Sequence, residues 1–435
     1  MWKPFLLSLM ALAPVAALAQ PVPQPSAQTL TIVAIPQLPA TRNVNTDEGT
    51  AVEIGAKFAE LLAADLRSSG EFLPLSANAM RAYGVPEARA PTYKDWRKRG
   101  AGALIAGFVD PKEDGRMAFA CYVYDVQKAR EVARAGFLAQ PADWRRAAHR
   151  CADAAFTAFT KRKGAFDTRV AYVAESGPET ARIKRIAIMD WDGSNHAYLT
   201  QGAATVLNPR FSPDGDRLLY TNYVGRVPQV HVMDVATGED RQLIPGDGTS
   251  FAATFAPDGQ RIVFSLATNG NTDIYATDAS GNGLIRLTAL PGVDTSPSFS
   301  PDGSKIVFES DRSGDQQLYV MNADGSDQHR ISFGGAKYGS PVWSPTGELI
   351  AFTRIGGNLS IGIMTPEGRD EKSLTTGWQD EGPSWSPSGQ TVLFQRTDQS
   401  TTRPRLFSVA LDGSPPAPLA TPQDGSDPSW SPARN

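Results

Sequence analysis

Five copies of one short phrase punctuate the second half of this 435-residue chain: "FSPDGDRLLYT" from 211, "FAPDGQRIVFS" from 255, "FSPDGSKIVFES" from 299, "WSPTGELIAFT" from 343 and "WSPSGQTVLFQ" from 385. Their turn glycines, Gly215, Gly259, Gly303, Gly347 and Gly389, step by 44, 44, 44 and 42 residues. A second marker keeps the same phase: its residues Asp190, Asp234, Asp278, Asn322, Thr365 and Ala410 step by 44, 44, 44, 43 and 45. A period in the forties with four strand-length apolar runs per unit is the signature of a β-propeller. The markers count six blades, spanning 166–435. The first blade begins at "DTRVAYVAES", which matches a second strand, and its missing inner strand reappears as "DPSWSP" at 427–432. The C-terminal strand is therefore predicted to close the ring, leaving no open seam.

In Ser-Pro-Asp-Gly, Pro presets φ at the second turn position, Asp suits the third and Gly relieves the fourth. Thr346 and Ser388 replace the Asp in two copies, as a turn tolerates and a catalytic acid would not. Asp302 is read as a turn residue. These short, uniform turns must share one face of the disc. The loops between strands two and three and the crossings between blades lie on the other, where sequence varies. Recognition is expected on the variable face. The candidates for partner binding at its channel mouth are Thr249, Ser250, Asp294, Thr295, Ser296, Tyr338, Asp380, Glu381 and Asp427.

Residues 29–165 follow a different grammar. Apolar stripes predict a helix over 46–70, capped by Thr46 or Asp47, and another over 142–164. Strands are predicted near 29–40 and 103–110, with a hairpin in "MAFACYVYDVQ" and "EVARAGFLA". Together they make a small α/β domain preceding the propeller. Residues 1–19 read as a secretory signal: Lys3, an apolar run from Phe5 to Leu18, and Ala17-Leu18-Ala19 ahead of a cleavage before Gln20. That run is too short to span a bilayer, and no cysteine follows the site to take a lipid anchor. Residues 20–28, rich in Pro and Gln, form a flexible arm. Export would place Cys121 and Cys151 in an oxidising compartment, either as a disulfide or as two buried thiols.

The formal charge of −4 carries no basic patch that would call for nucleic acid. Direct membrane insertion is not expected. No Gly-x-Ser-x-Gly occurs, the inner-strand positions carry no arginine cluster, and the four histidines have no metal-ligand spacing. No catalytic residue, metal or cofactor is implied. The rival from the enzyme class is an exported propeller hydrolase acting on a cell-wall-derived ligand.

The domain order, the junction "KGAFDTRVAYVAES" and the blade phrase "FSPDG…KIVFES…LYVMNADG…RIS" resemble the TolB family, periplasmic components of the Tol–Pal system. The resemblance spans essentially the whole mature chain. It implies a non-enzymatic, monomeric, periplasmic adaptor serving outer-membrane integrity and invagination during cell division. It implies that the propeller mouth receives the lipoprotein Pal. It also implies that the extreme mature N-terminus, here Gln20, Pro21 and Val22, contacts TolA. Thr295-Ser296-Pro297 matches a Thr-Glu-Pro stretch of the family with Ser in place of Glu, and Asp380-Glu381 matches a second crossing. At Thr249 the family usually has histidine.

Overall fold

The computed structural model describes residues 30–434 apart from 245 and 247; the signal segment and the arm residues Gln20, Pro21 and Val22 lie outside them. The first domain is a five-stranded sheet in the order Phe72–Pro74, Thr31–Ala34, Ala103–Pro111, Met117–Asp125, Arg130–Ala139. Pairing is parallel on both sides of Thr31–Ala34 and antiparallel beyond Ala103–Pro111. Ala103–Pro111 is a nearly unbroken apolar run because both faces of the sheet are covered. Helices Ala51–Ser68 and Trp144–Thr160 cover one face, with Ile54, Phe58, Leu62, Ala148, Ala152 and Phe156 against Ile105, Val109, Phe119 and Val123. On the other face Trp96 and Ala88, from two short helices, meet Leu104, Phe108 and Tyr124.

The first helix starts later than its apolar stripe suggests. Thr50, not Thr46 or Asp47, is the N-cap, and Thr50 and Glu53 cap one another reciprocally. Residues 45–50 instead form a two-stranded turn, with Gly49 at φ +110°. The second helix ends at Thr160, where Lys161 takes the left-handed conformation. Cys121 and Cys151 form a disulfide that ties the sheet to this helix. Closing a loop of about 30 residues is worth roughly 3–4 kcal/mol in the chain-entropy model. A double Cys121→Ala, Cys151→Ala variant should therefore unfold at lower denaturant in its first domain. An unchanged midpoint would deny the bond any such role.

From Arg169 onward the described strands fall into six antiparallel groups of four. Four are separate four-stranded sheets; the last two groups are joined into one eight-stranded sheet only by the single parallel pair Leu359–Gln379. Asp424–Trp430 pairs with Arg169–Ser176, supplying the inner strand of the first blade.

The repeated turns also join neighbouring blades. Arg169, Arg217 and Arg261, each opening a second strand, lie over Phe211, Phe255 and Phe299 of the next blade. Each donates to the carbonyl of the next turn glycine: Gly215, Gly259 and Gly303. In the turns between strands three and four of blades one, three, four and five, glycine is needed for space as well as for its positive φ. A Cβ on Gly368 would meet the Ile331 carbonyl oxygen of the preceding blade at 1.8 Å, and one on Gly281 would meet that of Leu243 at 2.0 Å.

The first domain sits on the uniform face, over blades six and one. Trp191, from the last turn of blade one, packs on Phe166 at 5.7 Å. A groove of about 450 Å³ runs along this junction between Phe156, Arg162, Trp191, Ser388, Leu411 and Trp430.

Candidate functional site

The inner strands share one irregularity. Each is bulged, and the bulge places a residue in the left-handed region: Asn208, Ala252, Ser296, Ser340, Gly382 and Asp427, with φ between 49° and 67°. The pairing register shifts at that point in all six. A bulge frees a backbone N–H from the ladder, and a buried N–H needs an acceptor. The second strand of the preceding blade supplies it: Thr221 for Ala252, Ser265 for Ser296, Glu309 for Ser340, Thr353 for Gly382 and Gln395 for Asp427, at 2.7–3.4 Å. Val173 holds the equivalent place before Asn208 and has no acceptor, so Asp427 takes that N–H, at 3.4 Å. The positions where the sequence copies diverge are thus structurally equivalent, and they bond each blade to the next.

The nine candidates separate on this frame. Four have buried side chains engaged inside the protein. Ser250 Oγ accepts the Val230 N–H at 3.0 Å. In other blades that acceptor is a hydroxyl after strand four, such as Thr288, Ser332 or Thr375; Ile244 stands there in blade two, and Ser250 replaces it. Asp294 pairs with Arg312 at 2.6 Å. Asp380 takes two bonds from Arg396, at 2.6 and 2.8 Å, and one from Gly377 N–H. The Tyr338 hydroxyl donates to Glu371. As a correction to the expected surface, these four shape the mouth and do not present their side chains there. Thr249, Thr295, Ser296, Glu381 and Asp427 are only half-buried. Thr295 and Ser296 both donate to Glu309 Oε1, at 2.5 and 2.6 Å. Burial pushes the carboxyls of Glu381 and Asp427 above the usual range. Arg210 donates to the carbonyls of Pro209 and Pro428, joining blade two to the closing strand.

Sequence reasoning missed the apolar part of this face. Among the described residues of the propeller nine large apolar ones are exposed: Ile183, Tyr198, Val224, Leu284, Ile285, Leu290, Val293, Phe333 and Trp378. Six of them, all but Tyr198, Leu284 and Ile285, lie in or beside the crossings and the loops between strands two and three. Phe333 is 71% exposed and Trp378 36%. Their only signal was position: each is an apolar residue in a crossing, where a solvated loop needs none.

The uniform face carries turn chemistry. Asp302 accepts from the Ser300 hydroxyl at 2.5 Å and from Ser304 N–H at 3.0 Å; these bonds, Ser300's first, hold its carboxyl down at about 2. Ser344 with Thr346 and Ser386 with Ser388 repeat the contact with hydroxyls. At the domain junction, His149, Asp190 and Asp192 bring ligand-type atoms within 4.8 Å of one another, but Arg434 faces Asp190 and Arg145 pairs with Asp192. The cluster is an ion-pair network.

The family model for the TolB beta propeller domain matches residues 156–434, and that for the TolB amino-terminal domain matches residues 29–132. The chain belongs to the TolB family. A TolB relative in Rhizorhabdus wittichii, named Tol-Pal system protein TolB, is 61% identical over 95% of this chain and 92% of its own length. One of the same name in Sphingopyxis alaskensis is 62% identical over 93% and 90%. The crystal structure of TolB from Acinetobacter baumannii superimposes with a TM-score of 0.79 at 27% identity, over 93% of this chain and 97% of that one. The TolB fold thus extends over both domains. No helix among the described residues is long and apolar enough to cross a membrane.

Proposed function

We propose that this chain is a non-enzymatic periplasmic adaptor of the Tol–Pal system, supporting outer-membrane integrity and invagination. Its propeller mouth binds Pal, and its arm, with Gln20, Pro21 and Val22, binds TolA. The relatives named Tol-Pal system protein TolB support the system. The observation that carries the mouth assignment is the exposed apolar set of the variable face, with Phe333 and Trp378 on successive crossings and half-buried Thr295, Ser296 and Glu381 on the same face. Aromatic anchors inside a polar rim are where binding energy concentrates.

Phe333→Ala and Trp378→Ala should each weaken binding of the cognate Pal periplasmic domain by about tenfold or more, roughly 1.4 kcal/mol or above. Melting should hardly change for Phe333→Ala, whose side chain is mostly exposed, and fall further for Trp378→Ala, whose ring is mostly buried. Titration calorimetry beside thermal unfolding checks both. Wild-type affinity in both variants would remove the apolar rim from the site. Absence of Pal binding in the mature protein, with and without residues 20–29, would sink the Pal assignment. Deleting residues 20–29 should abolish TolA binding and leave propeller melting unchanged.

A further inference from the structure

The junction between the domains holds a buried histidine between acids from both sides. His149, on the helix Trp144–Thr160, is fully buried. Its Nδ1 lies 2.7 Å from Asp65 Oδ2 on the helix Ala51–Ser68, and Asp65 is itself buried. Its Nε2 is buried without a hydrogen bond and faces Asp192 Oδ2 of the propeller at 3.8 Å. Asp190 lies beside Asp192 in the same turn. Arg145, on the histidine's own helix, pairs with Asp192. The same junction carries Asp167 between Arg146 and Arg434, at 3.3 and 2.7 Å, and Arg434 also reaches Asp190 at 3.2 Å. Asp153, on the helix with His149, accepts the backbone N–H groups of Phe166 and Asp167.

We propose that His149 is the proton-dependent centre of a clasp holding the propeller to the first domain, tight when its imidazole is protonated and loosened when it is neutral. A neutral imidazole bonded to Asp65 through Nδ1–H presents only a lone pair at Nε2, which repels Asp192. A protonated ring presents an N–H and a positive charge, and attracts both Asp192 and Asp190. Burial alone would push the imidazole down. The bond to Asp65 and the charges of Asp65, Asp192 and Asp190 outweigh it, so the group sits above its ordinary value. Burial likewise raises the Asp65 carboxyl, and it raises that of Asp153 to about 6. A group raised on folding stabilises fully below its unfolded value, and that contribution is lost as pH rises through the folded value. The clasp therefore weakens as pH rises through the raised His149 value, and the groove beside Trp191 opens with it.

Small-angle scattering of the whole mature protein between pH 5.5 and 9, with the His149 ring followed by NMR, tests this. The expected result is one His149 titration with its midpoint above 6.5, and a rise in radius of gyration along the same curve. Asp192→Asn should shift that midpoint down and remove the pH-dependent change in size, with His149–Asp65 left in place. His149→Gln should abolish the pH dependence. A His149 midpoint at or below 6.5, or a wild-type radius constant across the range, overturns the clasp, and neither measurement depends on any variant folding.

Discussion

Removing residues 424–434 should abolish cooperative folding of the propeller. The segment is short, but it is the inner strand of the first blade. Five backbone positions from Asp424 to Trp430 pair along Arg169–Ser176. Ser426 Oγ donates to Glu175 at 2.7 Å, Trp430 Nε1 to Thr168 at 2.9 Å, and Trp430 N–H to Ser384 of blade six. Asp427 accepts from Asn208 of blade two and donates its N–H to Gln395 of blade six, so three blades meet on it. Truncation would leave the inner edge of Arg169–Ser176 unpaired and open the ring, with loss of more than about 5 kcal/mol, on the scale of a whole domain's stability. Calorimetry should show the propeller transition disappear and aggregation increase. A synthetic peptide covering 424–434, added in trans, should restore part of it by strand addition. A truncated chain that still melts as one unit at the wild-type temperature would refute the closure argument.

The second large effect is expected at Asp294. Its carboxylate lies 2.6 Å from the Arg312 guanidinium, whose side chain is only 9% exposed. Arg312 also lies over the rings of Phe308 and Tyr319, and donates to Gln328 and Ser310. Asp294→Ala would leave that charge buried without its counter-charge, at a cost of about 3–5 kcal/mol. Asp294→Asn keeps an acceptor oxygen and should cost less. Chemical denaturation measures both. The pair also separates two roles for the residue. If Asp294 only shapes the mouth, Asp294→Asn should keep Pal affinity when folded. An unchanged stability with lost affinity would make it a direct contact.

The propeller was legible because its signals are local. A Pro-Asp-Gly turn, an alternating strand and a fixed step each need only neighbouring residues, and they agree with one another across the copies. The first helix cap was also local, yet was misplaced: the Thr50–Glu53 pair stood in the sequence, but the stripe of apolar residues drew attention further upstream. The mouth was legible only in position. Asp294, Asp380 and Tyr338 looked like free polar groups because their partners Arg312, Arg396 and Glu371 stand 18, 16 and 33 residues further on. Nothing in a single copy says which arginine will turn back.

By itself, the sequence determined the number of blades, the two faces of the disc and the provenance of the closing strand, since periodicity and turn chemistry depend on the chain alone. Only the tertiary structure decided which residues of the variable face meet solvent. Ser250 is consumed because Ile244 of its own crossing lacks a hydroxyl, while Phe333, with the Arg330 guanidinium over its ring, still faces solvent. The tertiary structure also placed Asp192 of the propeller against His149 of the first domain, joining two segments that no local pattern connects. Burial and charge pairing are properties of neighbours in space, and the ring and the domain junction supply those neighbours only once the chain has closed.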